Sequence, residues 1–201
     1  MATRKGQAMK VHPGAGIDVV HHKLSVDMMR VLKEGKNEQL ELLETLVFEG
    51  RMTLQRENPV IVKSGAHKNK KQTGFTVVTW VASAFSEKLQ VEILYILSEG
   101  VKQKSSVIRA EEAGKDFPAE FIFNVTFDAR ANNKTIKRRH HGMPHDTGFR
   151  TIPPNGDRTL SPTIKKFESE YIHIDHPEFG KIRFVPRHCN DEDGVTLVAL
   201  A

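Results

Sequence analysis

The chain reads as an α+β protein, with helices in its first half packed on an antiparallel sheet drawn from its second half. Three patterns predict it. Apolar residues recur at helical spacing early on, at Leu40, Leu43 and Leu46/Val47 and again at Leu89, Ile93 and Ile96/Leu97. Later, Phe121, Phe123, Val125 and Phe127 alternate with Glu120, Ile122, Asn124 and Thr126, the period of a strand. Finally, 201 residues with 38% hydrophobic content suffice for one core, so a single compact domain is expected.

Residues 1–22 form the expected mobile basic arm, with Arg4, Lys5 and Lys10 ahead of Pro13-Gly14-Ala15-Gly16. The domain then spans 23–201. Ser25 caps a first short helix bearing Met28, Met29 and Leu32, which Gly35 ends; Asn37 starts the next. Phe48, Gly50, Met52 and Leu54 alternate with polar residues as a half-buried strand, and Val60-Ile61-Val62 makes another. Ser64 to Gly74 is a lysine-rich loop. A helix from Phe75 to Phe85 carries Val77, Val78, Trp80 and Val81. Ser86 caps a further helix that closes at Gly100. After the strand of Phe121–Phe127, the stretch 129–162 reads as a long irregular basic loop, exposed and ordered by a partner, since it lacks apolar periodicity and is broken by prolines. Tyr171–Asp175 and Lys181–Val185 frame a hairpin, and Val195–Leu200 adds a last strand.

Charge is the strongest functional signal. The net charge is +5, from 30 basic and 25 acidic residues, and the cations gather in two windows that contain no carboxylate. Asn58 to Ser86 holds Lys63, Lys68, Lys70 and Lys71. Ala129 to His145 holds Arg130, Lys134, Lys137, Arg138 and Arg139, followed by His140, His141 and His145. Cations without counter-charges favour phosphate-rich partners, either nucleic acid or an anionic membrane surface. Lys134, Lys137, Arg138 and Arg139 also have the form of a short nuclear-import signal. One cysteine, Cys189, excludes an intramolecular disulfide and suits a reducing compartment. No apolar run reaches the length of a membrane span and no signal-peptide pattern follows Met1, so peripheral membrane contact and an intracellular location are expected.

No residues declare catalysis. His141 and His145 have helical spacing, but Gly142 and Pro144 between them prevent a helix from presenting both to a metal. His173 and Asp175 would share one side of a strand, with His176 and His188 nearby, and could serve a metal or a general base. The placement of His176 and Asn190 resembles that of His-Asn-His nucleases, yet the helix such a site needs is absent from the pattern. His188 and Cys189 are neighbours along the chain and would point to opposite faces. The expectation is therefore no catalytic residues, no metal and no cofactor.

The order of elements also resembles the matrix proteins of rhabdoviruses. Phe48-Glu49-Gly50-Arg51-Met52-Thr53-Leu54 is similar to their first core strand. A loop and an apolar helix follow at Val77–Phe85, then a helix at Lys88–Ser98 and the strand of Phe121–Phe127. The Pro-Pro-x-Tyr motif of animal-virus members is missing, so a plant-virus-like member fits better. The resemblance implies a non-enzymatic virion protein that self-associates as a homo-oligomer and bridges ribonucleoprotein to the inner leaflet of an envelope. Two other readings compete. In a small DNA- or RNA-binding regulator of phage type, the helices of Phe75–Ser98 would contact the duplex, though Lys88, Gln90 and Glu92 are thin for base readout. A metal-dependent hydrolase or nuclease would use the C-terminal His/Asp cluster.

Overall fold

The computed structural model describes the backbone of residues 12–132, 134–149, 152, 156–159 and 172–199, with side chains over 12–132, 136, 152 and 172–187. Among the described residues there is no helix. The strands are β1 (Gly16–Lys33), β2 (Gln39–Arg56), β3 (Val60–Ile61), β4 (Lys71–Ser86), β5 (Val91–Leu97), β6 (Ser106–Ala110), β7 (Ala119–Ala131), β8 (Lys134–Phe149), β9 (Gly156–Thr159), β10 (Ile172–His176) and β11 (Gly180–Ala199). All pairings are antiparallel.

These strands fill eight lanes. β5 and β6 lie end to end between β4 and β7, β3 continues the lane of β2 along β4, and β9 and β10 share one edge of β11. Each lane pairs with the next in sequence except β8, which has no ladder to the β9/β10 lane among the described residues, and β11 returns to pair with β1 from Gly16↔Ala199 to Arg30↔Ile182. β10 comes against β8, and one apolar cluster joins residues from lanes all around, including Val20, Phe48, Val77, Tyr95, Phe121 and Phe184. The sheet is thus an up-and-down barrel. One end carries the β3–β4 and β6–β7 connections; the other carries the β1–β2, β4–β5, β7–β8 and β10–β11 turns.

The α+β expectation is overturned, and the reason lies in where the ladders slip. The segments expected as helices are β1, the first part of β2, β4 and β5. In β4 the pairing jumps from Thr53↔Thr79 to Leu54↔Val77, so Val78 is an extra residue. This bulge reverses the parity of the strand: Phe75 and Val77 face inward before it, Trp80, Ala82 and Ala84 after it. An inward spacing of three, with Val78, Val81 and Phe85 outward and exposed, imitates a helix that is apolar nearly all round. A similar slip between Met28 and Met29 blurs the alternation of β1 and β2.

β1 is hidden from a hydropathy reading for another reason. Its inward residues include Asp18 and His22 as well as Val20, Leu24, Val26 and Met28. Residues 16–22, expected in the arm, are therefore strand; residues 1–11 lie outside those described. The expected loop 129–162 is also corrected, since 134–149 pairs along β7 and 156–159 pairs with β11. Main-chain hydrogen bonds to a packed neighbour hold β8 without any need for its own apolar period. The strands expected around Phe48–Leu54, Val60–Ile61, Phe121–Phe127 and the His176–Gly180 hairpin are present, and Phe121, Phe123 and Phe127 are core residues.

Candidate functional site

The first lysine window forms the tip of the β3–β4 hairpin. Its loop is closed by main-chain bonds from Val62 N to Lys70 O (2.9 Å), Asn69 N to Val62 O (2.8 Å), Lys68 N to Gly65 O (3.1 Å) and Lys70 N to His67 O (3.1 Å). Gly65 and Asn69 take positive φ values of 77° and 66°, a conformation that glycine and asparagine tolerate best. Lys63 and Lys68 are exposed and Lys70 is half-buried; none of the three has an ion-pair partner among the described residues.

Lys71 behaves differently. Its ammonium donates to the carboxylate of Asp116 at the base of the hairpin. Glu120, the next acid nearby, is held by Arg109 at 2.8 Å. Asp116 and Glu120 are therefore engaged elsewhere, and among the described residues no carboxylate pairs with Lys63, Lys68 or Lys70. Beside them stand two exposed apolar side chains, Val60 and Ile61, at 54% and 52% exposure. β3 has only two residues, pairs with β4 and leaves both side chains out of the core, while His67 in its loop lies 4.0 Å from Glu120 of β7. Cationic and apolar groups thus share one hairpin.

Beneath the tip, His12 is buried and ties the incoming chain to the barrel. Its Nε2 donates to the Asp116 carbonyl at 3.0 Å, which leaves Nδ1 to accept from the Thr73 hydroxyl at 2.8 Å. Its main-chain N–H donates to the Asp116 carboxylate at 2.7 Å. Burial lowers the His12 pKa, with the Lys71 charge acting in the same direction against the raising effect of Asp116. For Asp116, burial raises the pKa, but hydrogen bonds from Lys71 and the His12 N–H, with the charges of both, outweigh it and hold the group low. Further inside, Arg56 donates to both oxygens of Asp18 at 2.9 and 2.7 Å, a buried pair beside a recess of about 10 Å³, room for one water.

The second window lies elsewhere. Lys134, Lys137, Arg138 and Arg139 are on the first half of β8, at the end of the barrel opposite the hairpin tip. The β7 residues they face run from Phe127 to Ala131, whereas β6 meets β7 at Ala119–Ile122. About ten residues of strand, roughly 33 Å, separate the two levels. The windows therefore do not merge into one surface. The side chains of these four residues, and of His140, His141, His145, Asp146, His188, Cys189 and Asn190, lie outside the described set.

Of the C-terminal His/Asp cluster, His173 and His176 are held in structural contacts, while Asp175 is exposed. Arg183 Nε donates to His173 Nε2 at 3.0 Å, and its Nη1 donates to Glu38 at 2.8 Å, linking the β10–β11 hairpin to the β1–β2 turn. His176 accepts the Glu178 N–H at 3.3 Å and stacks on Phe179. Among the described residues no group of His, Cys, Asp or Glu converges as metal ligands do. Sequence reasoning missed the roles of Val60 and Ile61, which read as an ordinary strand, and of Asp116, which nothing in the local sequence marks as an anchor.

No protein-family model and no curated protein matches the chain. Among solved structures it is similar in chain course to DynF from the dynemicin biosynthesis pathway of Micromonospora chersina, with 14% identity and a TM-score of 0.49, over 94% of this chain and 86% of that one. A likeness at that level lends nothing to the assignment of a function.

Proposed function

We propose that this chain is a non-enzymatic protein that docks on an anionic membrane surface through the β3–β4 hairpin. The observation that carries the reading is that Lys63, Lys68 and Lys70, without ion-pair partners among the described residues, lie on the same hairpin as exposed Val60 and Ile61. Lysines near an anionic leaflet contribute about 1 kcal/mol each, and apolar side chains reaching the acyl boundary add to that. A tip that bound nucleic acid alone would gain nothing from two bare aliphatic side chains. The wider matrix-like role, in which the protein also gathers ribonucleoprotein, needs a second cationic surface facing away from the membrane. The Lys134–Arg139 window at the other end of the barrel suits that bridging role.

Co-sedimentation with phosphatidylcholine vesicles, with and without phosphatidylserine, and with single-stranded RNA tests the proposal. Reversing Lys63, Lys68 and Lys70 to Glu should weaken binding to phosphatidylserine vesicles by about a hundredfold, the effect of roughly three lysines. Val60→Ser with Ile61→Ser should weaken vesicle binding and leave RNA binding unchanged. Vesicle binding that ignores both variants would sink the hairpin as the membrane contact. RNA binding lost with the lysines, in a protein that ignores vesicles, would give the tip to nucleic acid instead.

A further inference from the structure

The outer wall of the barrel carries an apolar strip across β2, β4 and β5. Val81 stands 53% exposed and pairs across the ladder with Ile96, while Ser83, next along the same face, pairs with Leu94. Phe85, also 53% exposed, continues the strip on β4. On β2, exposed Val47 takes the corresponding step beyond the Glu49↔Ser83 pair. At the other end of the strip the bulge holds Val78 outward. Apolar side chains scattered singly over a surface need no explanation, but adjoining ones mark a place for a partner.

Charge says which partner. Along β2 the strip is bordered by Glu49 and Arg51, both exposed, opposite in sign and successive on one face of the strand. Lys23 approaches Glu49 only to 3.7 Å, and both side chains stay open to water. Arg51 has no ion-pair partner among the described residues. On the β5 side, exposed Glu92 sits across from Phe85. Acids on both borders do not suit a phosphate-rich surface. The order of Glu49 and Arg51 is instead complementary to its own reverse. A twofold axis crossing the strands between the Val81 and Ser83 rows lays Arg51 of each copy over Glu49 of the other. The same rotation sets Val81 over Ser83, Ile96 over Leu94, and Phe85 over the Thr79 step beside Val78.

We infer that a second copy of this chain docks on the strip, with the two barrels antiparallel and packed through β2, β4 and β5. A few lanes of a curved wall make a small contact, below the roughly 800 Å² per partner of a standard interface, so a micromolar dimer is expected. Neither Val60, Ile61 nor the hairpin lysines take part, so a failure of vesicle binding would leave this contact standing.

Sedimentation velocity of the full chain from about 1 to 100 μM reads the association, with circular dichroism as the fold control. Glu49→Arg alone and Arg51→Glu alone should each weaken the dimer about tenfold, because the twofold turns paired attractions into paired repulsions. Combined in one chain, these changes reverse the order of charges yet keep it self-complementary, and the dimer should regain its strength. Mixed together, the two single variants should associate more tightly than either does alone. Val81→Lys, which sets a charge in the middle of the strip, should leave a folded monomer throughout the range. A chain that stays monomeric at every concentration would overturn the inference. So would a dimer indifferent to Val81→Lys or to the single charge reversals, or a double variant no stronger than the single ones.

Discussion

His12 shows how one buried side chain makes the fold depend on pH. It is held neutral between Thr73 and Asp116, with the Lys71 ammonium close by and burial lowering its pKa. A depressed histidine pKa means that the unfolded chain takes up the proton first. Its contribution to stability is full above about pH 6.5, the unfolded value, and is lost as pH falls through the lower folded value. Asp116, also held low, loses its contribution further into acid. Denaturant midpoints measured from pH 8 down to 5 should fall less steeply in His12→Gln than in the unaltered protein; identical slopes would remove His12 as the cause. Gly50 is a steric case. A Cβ there would lie 1.8 Å from the Val81 carbonyl oxygen and 2.6 Å from Ala82 Cα, both backbone atoms that cannot turn aside. Gly50→Ala should therefore force β2 and β4 apart and cost about 1–3 kcal/mol or more, read as a lowered urea midpoint. An unchanged midpoint would mean that the ladder yields there freely.

Single strands carry the next level of the argument. β7 is the most regular element, with Ala119, Phe121, Phe123, Val125, Phe127 and Ala129 all inward and buried. Phe75 stacks on Phe121 at 5.2 Å, and Phe121 meets Phe123 at 5.7 Å. Phe123→Ala empties a packed site and should cost about 3–5 kcal/mol, a large part of the stability of a domain this size. A Phe123→Ala protein with wild-type stability would show that the barrel collapses around the gap. β4 is the least regular element and does the most: it pairs with β2, β3, β5 and β6, and its bulge at Val78 turns Trp80 into the interior. The hairpin formed with β3 carries Lys63 and Lys68 exposed and Lys70 half-buried.

At the level of the whole barrel, the separation of the two cationic windows sets what each can touch. They sit at opposite ends, about 33 Å apart along the strands, so one flat membrane cannot engage both at once. Exchange of function between the two ends is therefore testable. Charge reversal of Lys63, Lys68 and Lys70 should weaken vesicle binding by about a hundredfold and spare any RNA binding. Reversal of Lys134, Lys137, Arg138 and Arg139 should do the opposite, with RNA affinity and its salt dependence both reduced. A mixture of vesicles and RNA should be bridged by the unaltered protein and by neither variant. Equal losses from both sets of changes would mean that a single surface serves both partners.

The sequence by itself determined the strands whose alternation is unbroken: Phe48–Leu54, Phe121–Phe127 and the hairpin around His176–Gly180. It also determined the two cationic windows, because charge clustering along a chain survives any fold. It could not reveal the barrel. β1 places Asp18, held by the distant Arg56, and His22 inward, so its alternation in space is not an alternation in hydropathy. The bulge in β4 gives its apolar residues a helical spacing, and only pairing with β2 distinguishes an extra strand residue from a turn of helix. β8 is a strand because β7 offers it a ladder. Tertiary structure alone decided that Val60 and Ile61 stand bare on the lysine-bearing hairpin, that Lys71 is spent on Asp116, and that Trp80 keeps a buried donor without an acceptor among the described residues. In each case the deciding partner lies far along the chain, and a local pattern carries no record of what will face it.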